Sequence, residues 1–158
     1  MTYSVGSEEP PVDTDTYKII GSITSYLTDD DVTVTLLDGN RNVIVSTTGT
    51  NSYSFEGIES GTYTLVVSKT NHVNREYQVT IGTSNATCDV KICPIGDVNG
   101  DGKINIIDVN RANLYFKKKL TLTDYEVCCS DVTGEGKVNI TDVNKINLHF
   151  KKKISLWS

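Results

Sequence analysis

The sequence predicts two modules, an all-β sandwich followed by a small all-α module built from two loop–helix units. Three observations support this division. Short runs of β-branched and aromatic residues, separated by turn residues, fill residues 17–92. A 23-residue stretch then occurs twice at an offset of 34 residues, and 16 of its aligned positions are identical. The net charge changes from −7 over residues 1–93 (5 basic, 12 acidic) to +2 over residues 94–158 (10 basic, 8 acidic).

Residues 1–15 are predicted to be a linker, because they are acidic and contain prolines and offer little apolar surface to bury. Met1 leads straight into polar residues without the apolar run of a signal peptide, so we expect this chain to be a piece of a longer one. No apolar run approaches the length of a membrane span. The sandwich is then expected to cover residues 16–93 and the helical module residues 94–158.

The first module is predicted to be an immunoglobulin-like sandwich, because its strand-like runs are short and regularly interrupted by turn residues. Alternation such as that over residues 33–36 implies one buried face per sheet. The predicted strands are Tyr17–Thr24, Val32–Leu37, Asn42–Thr48, Ser52–Phe55, Thr62–Ser68, Glu76–Ile81 and Thr87–Ile92.

One segment of this module, residues 52–72, resembles carboxypeptidase-regulatory-like or Cna-B-like sandwiches. The match rests on Tyr53, Phe55, Ile58, Gly61, Tyr63 and Leu65. The resemblance implies a spacer, stalk or stabilising module. It also raises an isopeptide bond between Lys18 and Asp89, against which stands the simpler interpretation of an exposed lysine. Tyr26, Tyr53 and Tyr63 are candidates for a sugar-binding face, or alternatively for core and edge positions.

The two repeats, residues 97–119 and 131–153, each open with oxygen-bearing side chains at alternate positions. Ca²⁺ takes about six to eight oxygen ligands, which such a loop supplies from alternating side chains, one carbonyl and a final acidic residue. The predicted ligands of the first loop are Asp97, Asn99, Asp101, the carbonyl of Lys103, Asn105 through a water, and Asp108. Those of the second loop are Asp131, Thr133, Glu135, the carbonyl of Lys137, Asn139 and Asp142. We therefore predict two Ca²⁺ ions, the second bound more weakly because of Thr133 and Glu135.

Each loop leads into an amphipathic helical pattern. One stripe is predicted to form a small core between the helices, so calcium is expected to supply much of the stability. Its members are Val109, Ala112, Phe116 and Leu120 in the first helix and Val143, Ile146, Phe150 and Ile154 in the second. A capping box from Thr123 to Glu126 predicts a short connecting helix.

The opposite stripe of each helix combines apolar residues with cations, which indicates a docking surface for an acidic partner. The first face comprises Ile107, Arg111, Leu114 and Lys118. The second face comprises Thr141, Lys145, Leu148 and Lys152. Two packed repeats of this kind are expected to be related by a near two-fold rotation, so that a partner can bind in either of two orientations. The lysine clusters come without a groove-reading motif, so we expect no nucleic-acid partner.

The four cysteines, Cys88, Cys93, Cys128 and Cys129, lack the spacing of a zinc site. Disulfides and free thiols both remain open interpretations. No general acid/base pair or nucleophile constellation is visible, so this stretch of chain is not expected to be an enzyme.

The loop–helix repeats resemble dockerin domains in three respects. No helix pattern precedes the first loop, where residues 88–96 read CDVKICPIG; aspartate takes the twelfth place of each loop; and FKKK closes each helix. The resemblance implies an EF-hand-like module that binds a cohesin domain of a cellulosome-type scaffold. It also implies a secreted or cell-surface bacterial protein of polysaccharide degradation, monomeric and without membrane insertion.

The resemblance has two further implications. Many dockerins carry Ser-Thr before the last ligand, but here those places hold Ile106-Ile107 and Ile140-Thr141, which leaves the class of cohesin open. Dockerin termini clasp each other, so Trp157 is expected to stack on Pro94-Ile95.

Two alternative functions are weighed against this one. The first is a calcium-stabilised carbohydrate-binding or adhesion module in which the sandwich binds the ligand. The second is a calcium sensor of the EF-hand type, which is disfavoured because entering helices are missing and Met1 is the only methionine.

Overall fold

The structure is a computed structural model that describes residues 15–27 and 30–157, so the predicted linker lies outside the described residues except for Asp15. The strands are β1 (Thr16–Thr24), β2 (Val32–Leu37), β3 (Val43–Gly49), β4 (Ser52–Glu59), β5 (Gly61–Ser68), β6 (Arg75–Ile81), β7 (Ala86–Thr87) and β8 (Val90–Lys91). The helices are α1 (Ile106–Phe116), α2 (Asp124–Ser130) and α3 (Ile140–Phe150).

The strands form two sheets, which confirms the β-rich first module predicted from the alternating runs. One sheet has the order β4-β1-β7, with β8 also paired to β1, and the other has the order β3-β2-β5-β6. β1 runs antiparallel to β4 but parallel to β7 and β8. The last predicted strand is divided into β7 and β8. Between them the side chain of Asp89 accepts the Ser22 N–H at 2.9 Å, in the place of a main-chain acceptor.

The sandwich core lies between the inner faces of the two sheets. Val34, Leu36 and Leu65 from one sheet and Ile19 from the other are fully buried. Each such side chain contributes about 1.5–3 kcal/mol relative to its exposed state. Lys18 lies outside this core, 3.7 Å from Glu56 and exposed to solvent, which agrees with the interpretation of a simple exposed lysine. Asp89, the other candidate for an isopeptide bond, instead accepts the Ser22 N–H.

The helical module has its own core, centred on the contact of α1 with α3. Ala112 and Ile146 are fully buried there, and the other buried members are Val98, Val109, Leu122 and Val143. The predicted short helix is confirmed as α2, which starts at the Thr123–Glu126 capping box. None of these helices, in the part of the chain that is described, is long and apolar enough to cross a bilayer.

The predicted core stripe is wrong at its C-terminal end. Phe116, Phe150 and Ile154 are 38%, 37% and 38% exposed. Each helix ends at its phenylalanine, and in the last turn of α1 Tyr115 packs against the core while Phe116 points outward. The core therefore uses residues from the loops, such as Val98, in place of the two phenylalanines.

The two modules meet at a short connection and at the loop between β5 and β6, Lys69–Asn74, here called the junction loop. Its Asn71 carbonyl accepts the Ile95 N–H at 2.9 Å, and its Val73 N–H donates to the Cys93 carbonyl at 2.9 Å. The hydroxyl of Tyr125 in α2 donates to the Val73 carbonyl at 2.7 Å. The junction loop of the sandwich is thus hydrogen-bonded both to the connection between the modules and to α2 of the helical module.

Candidate functional site

The first loop, residues 97–108, brings three carboxylates together. Asp97 and Asp108 are fully buried, and one oxygen from each lies within 4.8 Å of an oxygen of the exposed Asp101. Backbone N–H groups fix both buried side chains. Gly100 and Gly102 donate to Asp97 at 3.1 and 2.9 Å, and Asn99 and Asn105 donate to Asp108 at 3.1 and 2.9 Å. The loop therefore aims its acidic oxygens at one point.

The electrostatics of the first loop favour a cation. Burial, together with the neighbouring carboxylates of Asp108 and Asp101 and against the opposing effect of the Gly102 N–H, raises the pKa of Asp97 to about 6. Burial likewise raises the pKa of Asp108. Among the described residues neither carboxylate has an ion-pair partner. Buried like charges destabilise a fold unless a counter-charge joins them, so an oxygen-only donor set of this kind fits Ca²⁺.

The second loop, residues 131–142, has the same path but a more open site. Asp142 is fully buried, and it accepts the N–H groups of Thr133 and Asn139 at 3.0 and 2.8 Å. The Thr133 hydroxyl lies 3.3, 3.0 and 2.9 Å from oxygens of Asp131, Glu135 and Asp142. Glu135 is exposed and Asp131 only half-buried. Within the described residues, three carboxylates gathered within 4.8 Å occur in the first loop alone.

The predicted ligands at the ninth and twelfth places also start the helices. Asn105 is the N-cap of α1, accepting the Ile107 N–H at 3.0 Å, while Asp108 accepts the Asn105 N–H. Asn139 and Asp142 form the same capping box at the start of α3. An N-cap residue followed three places later by an acidic residue is a known signal for the start of a helix. Here the signal was not recognised in the sequence, because the same residues were interpreted as metal ligands. Metal loop and helix direction are therefore fixed by the same side chains.

The predicted partner faces are exposed but not identical. Ile107, Leu114 and Leu148 are 48%, 39% and 37% exposed, and Lys118, Thr141, Lys145 and Lys152 are exposed as well. Arg111 differs from its counterpart Lys145, because its Nη2 lies 3.2 Å from Glu126 of α2. Its Nε is buried without a hydrogen-bond partner among the described residues. The cation of the first face is thus paired with Glu126 of α2, whereas Lys145 of the second face has no ion-pair partner in the described part of the chain.

Beside these faces lie two equivalent grooves, each between the end of one helix and the loop of the other repeat. The first groove is lined by Tyr115, Phe116, Lys118, Leu120, Thr121 and Val138. The second contains the residues 34 positions away from each of these, His149, Phe150, Lys152, Ile154, Ser155 and Ile104, together with Lys153. Each groove thus combines the end of one helix with a loop residue of the other repeat, the arrangement that a near two-fold relation of the repeats would produce.

The C-terminus closes onto the start of the helical module, as predicted. Trp157 donates its indole N–H to the Ile95 carbonyl at 3.1 Å. Its ring lies 4.7 Å from the ring of His149, and His149 Nδ1 accepts the Leu156 N–H at 3.1 Å. The predicted closure onto Ile95 is therefore made by a hydrogen bond, and the ring packs beside His149, whereas stacking on Pro94-Ile95 was expected.

Tyr26, Tyr53 and Tyr63, the candidates for either a sugar-binding face or core and edge positions, have separate contacts. Tyr53 is buried and donates to the Cys88 carbonyl, while Tyr63 donates to the Glu59 carbonyl at 2.7 Å. The hydroxyl of Tyr26, which follows β1, donates to the Gly100 carbonyl of the first loop at 3.1 Å. Of the two interpretations, the one with core and edge positions agrees with the places of Tyr53 and Tyr63, and Tyr26 packs between the modules.

All four cysteines are free. Cys93 and Cys129 are buried at the junction, and burial raises the pKa of the Cys93 thiol to about 11. Burial also raises the pKa of Cys129. These buried thiols are protonated at neutral pH and pack as small apolar groups.

Comparisons with known proteins agree with this geometry. Residues 95–150, which include both loops and all three helices, match the family model of the dockerin type I domain. No curated protein matches the chain.

Three solved structures show limited similarity to this chain. A chain from a type II cohesin–X–dockerin complex of Acetivibrio cellulolyticus, an N-terminal interface mutant, is 19% identical with a TM-score of 0.42, covering 84% of this chain and 94% of that one. The Bacillus anthracis TIE protein is 11% identical with a TM-score of 0.41, covering 51% of this chain and 17% of that one. The minor pilin of Streptococcus agalactiae is 10% identical with a TM-score of 0.40, covering 52% of this chain and 46% of that one.

Proposed function

We propose that the chain, whose residues 95–150 match the family model of the dockerin type I domain, is a non-catalytic, calcium-dependent adaptor that binds a cohesin domain. It would anchor its parent protein, secreted and monomeric, to a cellulosome-type scaffold. The boundary lies near Cys93, and the sandwich acts as spacer or stabiliser. The observation that supports this best is the repeated combination of an oxygen-lined loop with an exposed, apolar and cationic helix face.

Calcium links the loops to the binding faces. Two EF-hand-like loops would each hold one Ca²⁺ through the predicted ligands, and the ion supplies the positive charge that the buried carboxylates lack. Asp108 and Asp142 are both the last predicted ligands and the N-terminal anchors of α1 and α3. Fixing these side chains fixes the direction in which each helix presents its face. Partner binding should therefore require the ion.

The partner's chemistry follows from the two faces. Ile107, Leu114 and Leu148 offer apolar area, and burying such a side chain contributes up to about 1.5–3 kcal/mol. Lys118 and Lys152 flank this area and are exposed, so the facing surface should carry carboxylates around an apolar centre. We expect neither a nucleic acid nor a membrane to be the partner of these faces.

Two near-equivalent faces imply two binding orientations. Rotation about the axis that relates the repeats replaces Leu114 by Leu148 and Lys118 by Lys152. The asymmetric positions are Ile107 against Thr141 and the Arg111–Glu126 pair against a free Lys145. These differences would bias the choice between orientations without abolishing either.

The test is a calorimetric titration of the chain with a panel of cohesin domains, in calcium and in chelator. We expect binding only in calcium. Leu114→Asp and Leu148→Asp should each retain binding, and the double variant should lose it, a non-additive result. Val43→Asp is the control, because Val43 is an apolar residue of the sandwich that is 66% exposed. No binding by any cohesin would refute the function; complete loss in either single variant would refute the second orientation.

A further inference from the structure

The two calcium loops have the same backbone but different surroundings. Gly100 and Gly134 have φ of +74° and +75°, and Gly102 and Gly136 have φ of +89° and +96°. A Cβ built on either glycine of the second loop meets nothing within 4 Å. In contrast, a Cβ on Gly102 would overlap the ring of Tyr26, 2.6 Å from Cε1. The sandwich covers the first loop and leaves the second one open.

Tyr26 makes this contact from a fixed position. Its N–H donates to Nε2 of His72 at 3.2 Å, and its carbonyl accepts from Nζ of Lys69 at 2.8 Å. Both partners belong to the junction loop, which also binds the connection between the modules. The hydroxyl of Tyr26 donates to the Gly100 carbonyl at 3.1 Å. One side chain of the sandwich thus holds the first loop at two glycines.

These glycines matter because their N–H groups hold Asp97. Gly100 and Gly102 donate to the two oxygens of that carboxylate. A glycine at positive φ has access to many other conformations, and contact with a ring removes them. Asp97 is fully buried, whereas its counterpart Asp131, whose loop has no such cover, is only half-buried.

We propose that Tyr26 is a positioning residue for the first calcium loop, through which the sandwich and Ca²⁺ at that loop stabilise each other. The inference rests on the proposed calcium binding. The Tyr26 ring keeps the Gly102 N–H aimed at Asp97 before the ion arrives, so less conformational entropy is lost on binding. By thermodynamic linkage, Ca²⁺ in the first loop tightens the contact of the sandwich by the same factor. The second loop lacks this coupling.

The experiment follows Ca²⁺ binding by two-dimensional ¹H–¹⁵N NMR, reading the amide of Gly102 for the first loop and that of Gly136 for the second. Tyr26→Ala should lower the Ca²⁺ affinity of the first loop about 5- to 50-fold, which is within the usual range for such coupling. The Ca²⁺ affinity of the second loop should change by less than about twofold. Tyr26→Phe, which keeps the ring and loses the hydroxyl, should have a smaller effect of the same kind.

A matched pair of glycine variants separates the contact from backbone strain. Gly102→Ala and Gly136→Ala carry similar strain at positive φ, but only the first meets Tyr26. Gly102→Ala should therefore lower the Ca²⁺ affinity of the first loop by a larger factor than Gly136→Ala lowers that of the second loop. In a Tyr26→Ala background the two factors should become equal.

The outcomes distinguish this inference from the function on which it rests. Absence of Ca²⁺ at both loops would overturn the calcium function and the inference together. Ca²⁺ binding at both loops, with the first unchanged by Tyr26→Ala and Tyr26→Phe, overturns the inference alone. Should Tyr26→Ala disturb the sandwich signals, Tyr26→Phe and the glycine pair decide the question, and equal factors for the two glycines in the native background contradict it.

Discussion

Single side chains in this molecule serve two purposes at once. Asp108 closes the capping box of α1 and lies buried at the centre of the first loop. His149, whose place in the first repeat is taken by Tyr115, accepts the Leu156 N–H and packs against Trp157. The two repeats are therefore alike in their loops but different where the C-terminus closes. A histidine at this place makes the closure sensitive to protons.

The closure at His149 should weaken in acid. Burial lowers the pKa of His149 below its ordinary value of 6.5. The ring accepts the Leu156 N–H at Nδ1, which requires that nitrogen to carry no proton. The folded chain then binds fewer protons than the unfolded chain between the two pKa values. The stability from this contact is full above about pH 6.5 and is lost as the pH falls through the lower, folded-state value.

His149→Tyr, which copies the residue of the first repeat, is the matched comparison. Urea unfolding of both proteins between pH 7.5 and pH 5 should show the wild type losing stability relative to the variant as the pH falls. Other titrating groups are common to both and cancel in the difference. Parallel pH profiles would show that His149 does not titrate in this contact.

The helices of the two repeats end alike. α1 and α3 are followed by Lys118 and Lys152 with φ of +61° and +62°, a region in which glycine is the usual residue. The N–H groups of Lys118 and Lys119 donate to the Tyr115 and Leu114 carbonyls, so the last carbonyls of α1 are satisfied. A lysine in this conformation costs about 1–2 kcal/mol. Because the lysine occurs at this place in both repeats, we expect its cation to contribute to partner binding.

Lys118→Gly and Lys152→Gly should therefore stabilise the fold and weaken the partner complex. Relief of the left-handed backbone outweighs the added freedom of the unfolded chain, so each change should raise the free energy of unfolding by about 0.5–1 kcal/mol. Loss of the cation should lower cohesin affinity, above all at low salt. Thermal unfolding and calorimetry on the same samples measure both effects. Lower stability together with unchanged affinity would mean that the lysines have a structural task only.

The whole molecule contains two cores of unequal strength. The sandwich buries a continuous set of apolar residues between two sheets, whereas the helical module has a small core beside loops with buried carboxylates. Small cores need an additional source of stability, and here the bound ion is the candidate. The modules should therefore respond differently to removal of calcium.

A chelator should unfold the helical module at a lower temperature and leave the sandwich folded. Trp157 is the only tryptophan and lies in the helical module, so its fluorescence reports that transition alone. Hydrogen exchange of amides in β2 and β5 reports the sandwich. Adding Ca²⁺ back should restore the fluorescence transition, and Mg²⁺ at the same concentration should not. Joint unfolding of both probes would mean that the chain is one cooperative unit.

Local patterns were readable from the sequence because their causes lie within a few residues. The two oxygen-rich loops with their glycines, the Thr123–Glu126 box that starts α2, and the alternating residues of β2 all depend on spacing along the chain. The repeat itself then predicted the paired helices. The Asn105–Asp108 capping box was also present in the sequence, within the metal-loop pattern.

Contacts between distant residues were decided by tertiary structure. Phe116 points outward because the last turn of α1 places Tyr115 against the core, which no single-helix pattern specifies. Arg111 pairs with Glu126 because α2 packs beside α1, and so the two faces differ. Tyr26 binds the first loop, 74 residues further along the chain, because the junction loop holds it there. Such contacts depend on how modules pack, and packing depends on the shapes of both partners.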